Sequence, residues 1–231
     1  MSALFLLFVA AVAAIIAFSI LRFLPRGYRV PGLIGLVLWL AYGGALGISG
    51  VVANATILPP GLFYLLAPTI MLVMFMARSS VGLTIATSVP IWFLTGMESF
   101  RLVVEGFLHM LWQDGQLPRM LTYHGANFDI LIGISAPIMA WLIASRRISD
   151  RWALAWQAAG IAMLANVAIR AVLTSPGPLN FIATEVPNMA IGTFPFTFIP
   201  GLMVPLALVL HVLSIRALRI RAPLSARYTS A

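Results

Sequence analysis

The sequence predicts an all-α integral membrane protein, a seven-transmembrane-helix bundle with an additional amphipathic helix on the outer side. Three observations carry this expectation. Hydrophobic residues make up 61% of the chain and charged ones 9%, with a mean hydropathy of +1.03, a composition suited to lipid as solvent. The apolar residues gather into seven runs near the roughly 20-residue length that crosses a bilayer. Arginine is shared unequally between the two sides that seven crossings create.

The first run, 3–24, has no basic residue before it and ends among Arg22, Arg26 and Arg29, the reverse of a cleavable leader, so it is expected to stay as a span. The second, 31–52, opens on Pro31 and the third, 60–77, on Pro60; proline suits a first helical turn, where its missing N–H would have no partner anyway. The fourth is 79–96, followed by an amphipathic helix at 97–113 and a long linker to residue 127. Runs 128–144, 152–173 and 194–218 complete the set, and 1–231 reads as one transmembrane domain without internal repeats. Pro68, Pro90, Pro137, Pro200 and Pro205 fall inside runs, where a helix bends and neighbouring helices satisfy the freed carbonyls.

Seven crossings put 11 of the 14 arginines on one side: Arg22, Arg26, Arg29, Arg78, Arg146, Arg147, Arg151, Arg216, Arg219, Arg221 and Arg227. Arg101, Arg119 and Arg170 fall on the other with five of the six acidic residues. Because arginine in short loops stays cytoplasmic, the N-terminus is expected outside and the C-terminus inside a plasma, bacterial inner, membrane. Counting 97–113 as an eighth crossing collapses this bias.

All 14 basic residues are arginine, so chemistry that needs a lysine amine, covalent retinal included, is excluded. The absence of cysteine excludes thiol catalysis and thiolate metal sites. The net charge of +8 points to anionic lipid headgroups on the cytoplasmic face and not to nucleic acid, because the arginines flank apolar runs. Gly43, Gly44, Gly47, Ser49 and Gly50 give the second run a small-residue face for close helix approach, inside the protein or, through Gly43–Gly47, between copies in an oligomer.

Candidate chemistry concentrates on the outer side. At about 100° per residue, Glu98, Arg101, Glu105 and His109 share a stripe roughly 80° wide on an otherwise apolar helix. Each stands three or four residues from the next, within reach for a neutralising ladder. So narrow a stripe is expected to face a polar pocket within the protein, shared with His124 or Asp129. Glu105, His109 and His124 are the candidate metal ligands. Asn127 and Asp129 suit the start of the fifth helix. Arg170, one turn after Asn166 in the sixth run, is expected to pair with an acid, Glu185 being one candidate, because an unpaired guanidinium near lipid is costly. His211 is expected toward the cytoplasmic end, apart from His109 and His124, and no acidic residue is expected at mid-membrane.

The stretches Phe100 to Trp112, Thr122 to Pro137 and Pro187 to Ile215 resemble those of an uncharacterised bacterial family of seven-span membrane proteins. The resemblance implies a fold and no catalytic residue. The residues themselves suggest binding or transport of a small solute or protons through an outward-facing pocket. Two alternatives stand beside it: a membrane-embedded, metal-dependent enzyme acting on a lipid-soluble substrate, and a non-catalytic scaffold or assembly subunit.

Overall fold

The computed structural model describes residues 1–228, with side chains described to residue 221. Among these residues there are nine α-helices and no strand. They are α1 (Ser2–Phe23), α2 (Arg26–Ile48), α3 (Phe63–Arg78), α4 (Ser80–Ser88), α5 (Ile91–Met97), α6 (Phe100–Gln113), α7 (Asp129–Ala144), α8 (Asp150–Leu173) and α9 (Val204–Tyr228). A π turn, Ile199–Met203, leads into α9.

Four segments are long and apolar enough to cross a membrane: α1, α2, α8 and Ile199–Arg221. The bent pair α3 and α4 would make a fifth if taken as one span, although their axes differ by 73°. α2 begins one turn earlier than proline placement suggests, at Arg26, so Pro31 lies inside it and does not open it.

α9 is the post of the bundle. α3, α4, α5 and α8 all pack on it, and 61% of its apolar stretch is buried, against 17% for α1 and α2 and 22% for α8. The outer helices turn large apolar side chains outward, including Leu7, Val37, Leu38, Met71, Trp152 and Ile169. In water each such side chain would forfeit about 1.5–3 kcal/mol of burial, so this surface fits hydrocarbon.

The expected fourth span, 79–96, is divided. At the end of α3 the Arg216 guanidinium donates to Met76 O at 2.5 Å and Ser79 O at 3.0 Å, satisfying carbonyls that a helix end leaves free. Ser79 then caps α4 through its hydroxyl, and Pro90, lacking an N–H, separates α4 from α5.

α5 continues into α6, since Glu98 and Ser99 between them keep right-handed helical backbone angles. The two form one rod along the length of α1: the Phe23 and Phe93 rings are 5.0 Å apart at one end, and Phe5 and Phe107 likewise 5.0 Å at the other. The same rod runs antiparallel to α7, with Gly96 against Ala140 and Gly133 against Leu102. Residues 97–113 are therefore not a separate outer helix but the second half of a rod inside the bundle. The cause is area, since Phe100, Val104, Phe107, Leu108 and Leu111 are buried in the core while Leu102 and Val103 stay on the apolar exterior.

The glycine face of α2 is filled from within the chain. A Cβ at Gly43 or Gly44 would stand 3.5 Å from the Phe198 ring, and one at Gly47 would collide with the Thr197 hydroxyl. Trp39 adds an indole N–H donated to Gly201 O at 2.6 Å. The close helix approach expected of this small-residue face is made inside the protein, against Thr197 and Phe198.

Candidate functional site

A fork in the Arg101 side chain organises the centre of the bundle. Arg101 is 2% exposed and Glu98, one turn earlier, 0%. A guanidinium has five N–H donors and no acceptor, and here each finds an oxygen or nitrogen. Nε donates to Asp129 Oδ2 at 2.7 Å and Nη2 to Asp129 Oδ1, a two-pronged grip on a carboxylate at the first turn of α7. Nη2 also reaches Gly160 O at 3.4 Å, and Nη1 reaches His211 Nε2 at 2.9 Å and Glu98 Oε2 at 3.4 Å. Gly160 lies mid-length in α8 and His211 midway along the apolar stretch Ile199–Arg221, so the cluster sits within the bundle and not at its end.

The network continues behind His211. Its Nδ1 is 2.6 Å from Gln157 Oε1, and Gln157 Nε2 donates to Thr95 Oγ1 at 3.0 Å. Because the Gln157 amide gives its N–H to Thr95, its carbonyl faces His211 and calls for a proton on Nδ1. That leaves Nε2 free to accept from Arg101. Glu98 Oε1 lies 3.4 Å from the same Nε2 and has no hydrogen-bond donor. Gly160 makes the approach possible, since any Cβ there would occupy the imidazole.

Towards the other end of α6, Glu105 Oε1 accepts from Asn127 Nδ2, which donates also to Leu121 O at 3.0 Å. Asn127 Oδ1 takes the Asp129 N–H at 2.9 Å, so one amide joins Glu105 to the Asp129 backbone. The stripe is therefore not a ladder along its own helix. Within the stripe only Glu98 pairs with Arg101; Glu105 turns to Asn127.

The remaining sequence candidates lie elsewhere. His109 leaves the cluster and joins an aromatic group with Tyr123, His124 and Trp112, its ring 5.1, 4.9 and 5.4 Å from theirs. Glu105 faces Asn127 instead, and among the described residues no group of three or more His, Asp or Glu is placed to hold a metal ion. Of the three candidate ligands, His109 and His124 stand together and Glu105 is bonded to Asn127. Arg170 binds Asn166 Oδ1 at 2.9 Å, and among the described residues no carboxylate reaches it, so its expected acidic partner is replaced by an amide one turn away. Asn166 in turn donates to Ala126 O at 2.7 Å, and Glu185 accepts the Arg119 backbone N–H at 2.5 Å.

Four members escaped the sequence reading: His211, Gln157, Thr95 and Gly160. His211, which the sequence places apart from His109, lies against Glu98 and Arg101. Two acids, Glu98 and Asp129, share the Arg101 cluster with it. The available signal was the cost of a lone polar residue in a membrane helix, which makes His211 and Gln157 suspects individually. Nothing in the spacing pairs them, since they sit 54 residues apart.

No curated protein and no solved structure matches the chain. Residues 58–219, which hold every member of the cluster from Thr95 to His211, match the family described as Domain of unknown function (DUF8737). The chain belongs to that uncharacterised family.

Proposed function

We propose that the protein is a plasma-membrane protein that takes up and releases protons, alone or with a small solute, at the Arg101 cluster. In this reading the crossings are α1, α2, α3, the α5–α6 rod, α7, α8 and α9. The rod takes the place of 79–96, and the arginine asymmetry still sets the N-terminus outside and the C-terminus in the cytoplasm, with arginine-rich ends on anionic headgroups.

The observation that carries the proposal is the position of Glu98 Oε1, buried without a donor 3.4 Å from His211 Nε2. A purely structural role accounts for the Arg101 and Asp129 pair, which is already complete. It leaves Glu98 unexplained, because a buried acceptor without a donor costs about 1–3 kcal/mol. With Nδ1–H committed to Gln157, Nε2 has two uses: it accepts from Arg101, or it carries a proton towards Glu98. Moving a proton from the Glu98 carboxyl to Nε2 breaks one O–H bond and forms one N–H bond, leaving a carboxylate facing an imidazolium. The return step restores both groups.

The test is proton entry into vesicles carrying the reconstituted protein and a trapped pH-sensitive dye. Glu98→Gln and His211→Phe are expected to slow entry about a hundredfold or more, the lower end of the usual scale for removing a proton-transfer group. Entry no faster than in empty vesicles, or variants as fast as the native chain, would overturn the reading and favour the scaffold.

A further inference from the structure

Beside the Arg101 cluster lies a cavity of about 70 Å³, enclosed by α3, α6, α8 and the start of α9. Its wall is largely hydrocarbon, from Leu62, Leu66, Leu108, Leu164, Val172 and Met203 among others. The polar lining is confined to Arg101, Glu105, Asn127 and Asp129. Of these, Glu105 has Oε1 occupied by Asn127, while its buried Oε2 accepts from no group.

The side of the cavity is a seam. α3 and α8 each pack on α9, with little contact between them. Leu66 on α3 and Ala168 and Val172 on α8 line the cavity and are only half-buried. At this seam Leu66 and Val172 meet over the small apolar group of Val52, Leu62 and Leu65, so apolar side chains alone stand between the cavity and the outside.

We infer that the cavity binds a slender apolar chain ending in a hydrogen-bond donor, a long-chain primary alcohol or amine, that enters from the bilayer between α3 and α8 and places its donor on Glu105. Size selects the chain. A water needs roughly 10–15 Å³ and a cavity of about 150 Å³ takes benzene, so about 70 Å³ exceeds a water, is too small for a ring and holds the head and first few carbons of a chain whose remainder lies in the seam. Apolar walls hold hydrocarbon in preference to water.

Charge selects the head. Three carboxyl groups, from Glu98, Glu105 and Asp129, stand around one guanidinium whose five hydrogens are all engaged. An anionic head finds no free donor there, whereas a hydroxyl or ammonium finds the open oxygen of Glu105. Fatty acids and phosphate-headed lipids are thereby disfavoured. The inference stands apart from proton movement, because occupancy requires no proton to be transferred.

The experiment is photolabelling of the full chain in phosphatidylcholine nanodiscs with a diazirine-tagged dodecanol, the modified residues being located by mass spectrometry. Label is expected on the cavity residues of α3, α8 and α9, competed by unlabelled dodecanol or dodecylamine and not by dodecanoate. Ala168→Phe, which fills the cavity, is expected to reduce that label about tenfold, equivalent to about 1.4 kcal/mol, and Glu105→Gln several-fold. Should Ala168→Phe fail to fold, Leu66→Phe blocks the same space from α3. Label spread evenly over the lipid-facing side chains of α1 and α2, insensitivity to the filling variant, or equal competition by dodecanoate overturns the inference. Because binding is read without flux, failure of vesicle proton entry and failure of labelling are separate results.

Discussion

At Arg101 the fold supplies five acceptors for five donors, from the α5–α6 junction, α7, α8 and α9. Removing the cation strands buried carboxylates, so Arg101→Met is expected to lower stability by about 3–5 kcal/mol, on the scale for breaking a buried ion pair from one side. Arg101→Met combined with Asp129→Leu should lose less than the sum of the singles, since the two share one interaction. Denaturant unfolding in detergent reads both. Arg101→Lys should not rescue, because an ammonium cannot grip the Asp129 carboxylate with two parallel bonds while reaching α8 and α9. Gly160→Ala introduces a methyl where the His211 ring lies; a loss of about 1–3 kcal/mol is expected from overpacking, checked by the same unfolding curve. Helical spacing on a single segment makes Glu98, Arg101 and Glu105 legible as a set. His211 and Gln157 are single polar residues in otherwise apolar runs, and Gly160 acquires meaning only once the imidazole stands against it.

At the scale of elements, the α5–α6 rod makes a distance prediction that the cysteine-free chain is suited to test. Cysteines replacing Phe23 and Phe93, or Phe5 and Phe107, should join through a short bifunctional reagent, and Phe5 with Phe93 should not. Joining of the last pair would sink the antiparallel rod. Arg216 ties the end of α3 to α9 through the Met76 and Ser79 carbonyls. Arg216→Leu is expected to cost about 1–3 kcal/mol by leaving those acceptors buried or poorly solvated, seen as earlier thermal unfolding and faster proteolysis at the α3–α4 corner. Sequence periodicity reads the apolar run at 79–96 correctly as helical, but cannot show that its two halves serve different directions. The Arg216 contact that turns the chain comes from 137 residues away. The reading of 97–113 as amphipathic is sound in its periphery and misplaced in depth, because its polar partners belong to helices that share no spacing with it.

For the whole molecule, the uneven placement of arginine makes the expected outcome of a topology experiment definite. Reporters after Arg29 and Arg147 should give a cytoplasmic signal, and one after Asp114 an external signal. A cytoplasmic signal at Asp114 would remove the rod from the set of crossings. All-helical architecture and apolar exterior are legible from composition and from the length of the apolar runs, because a chain this apolar must satisfy its backbone internally and runs of about 20 residues suit helices and not barrel strands. The central role of α9 is not. Its apolar run looks like any other, and its position as the post follows from which neighbours press on it.

The seam between α3 and α8 bears on how the protein behaves once taken out of its native bilayer. Two outer helices leaning on one post, with little to hold them to each other, behave like boards with an unfilled joint. Whatever chain lies in the joint becomes a structural component, contributing stability as RT ln(1 + [L]/Kd) while it is present. Extensive washing with detergent would strip that filler, and a detergent with a straight tail and a hydroxyl-rich head would replace it better than one with a rigid steroid body. The melting temperature should therefore rank detergents by tail shape, and Ala168→Phe, which brings its own filler, should flatten the ranking.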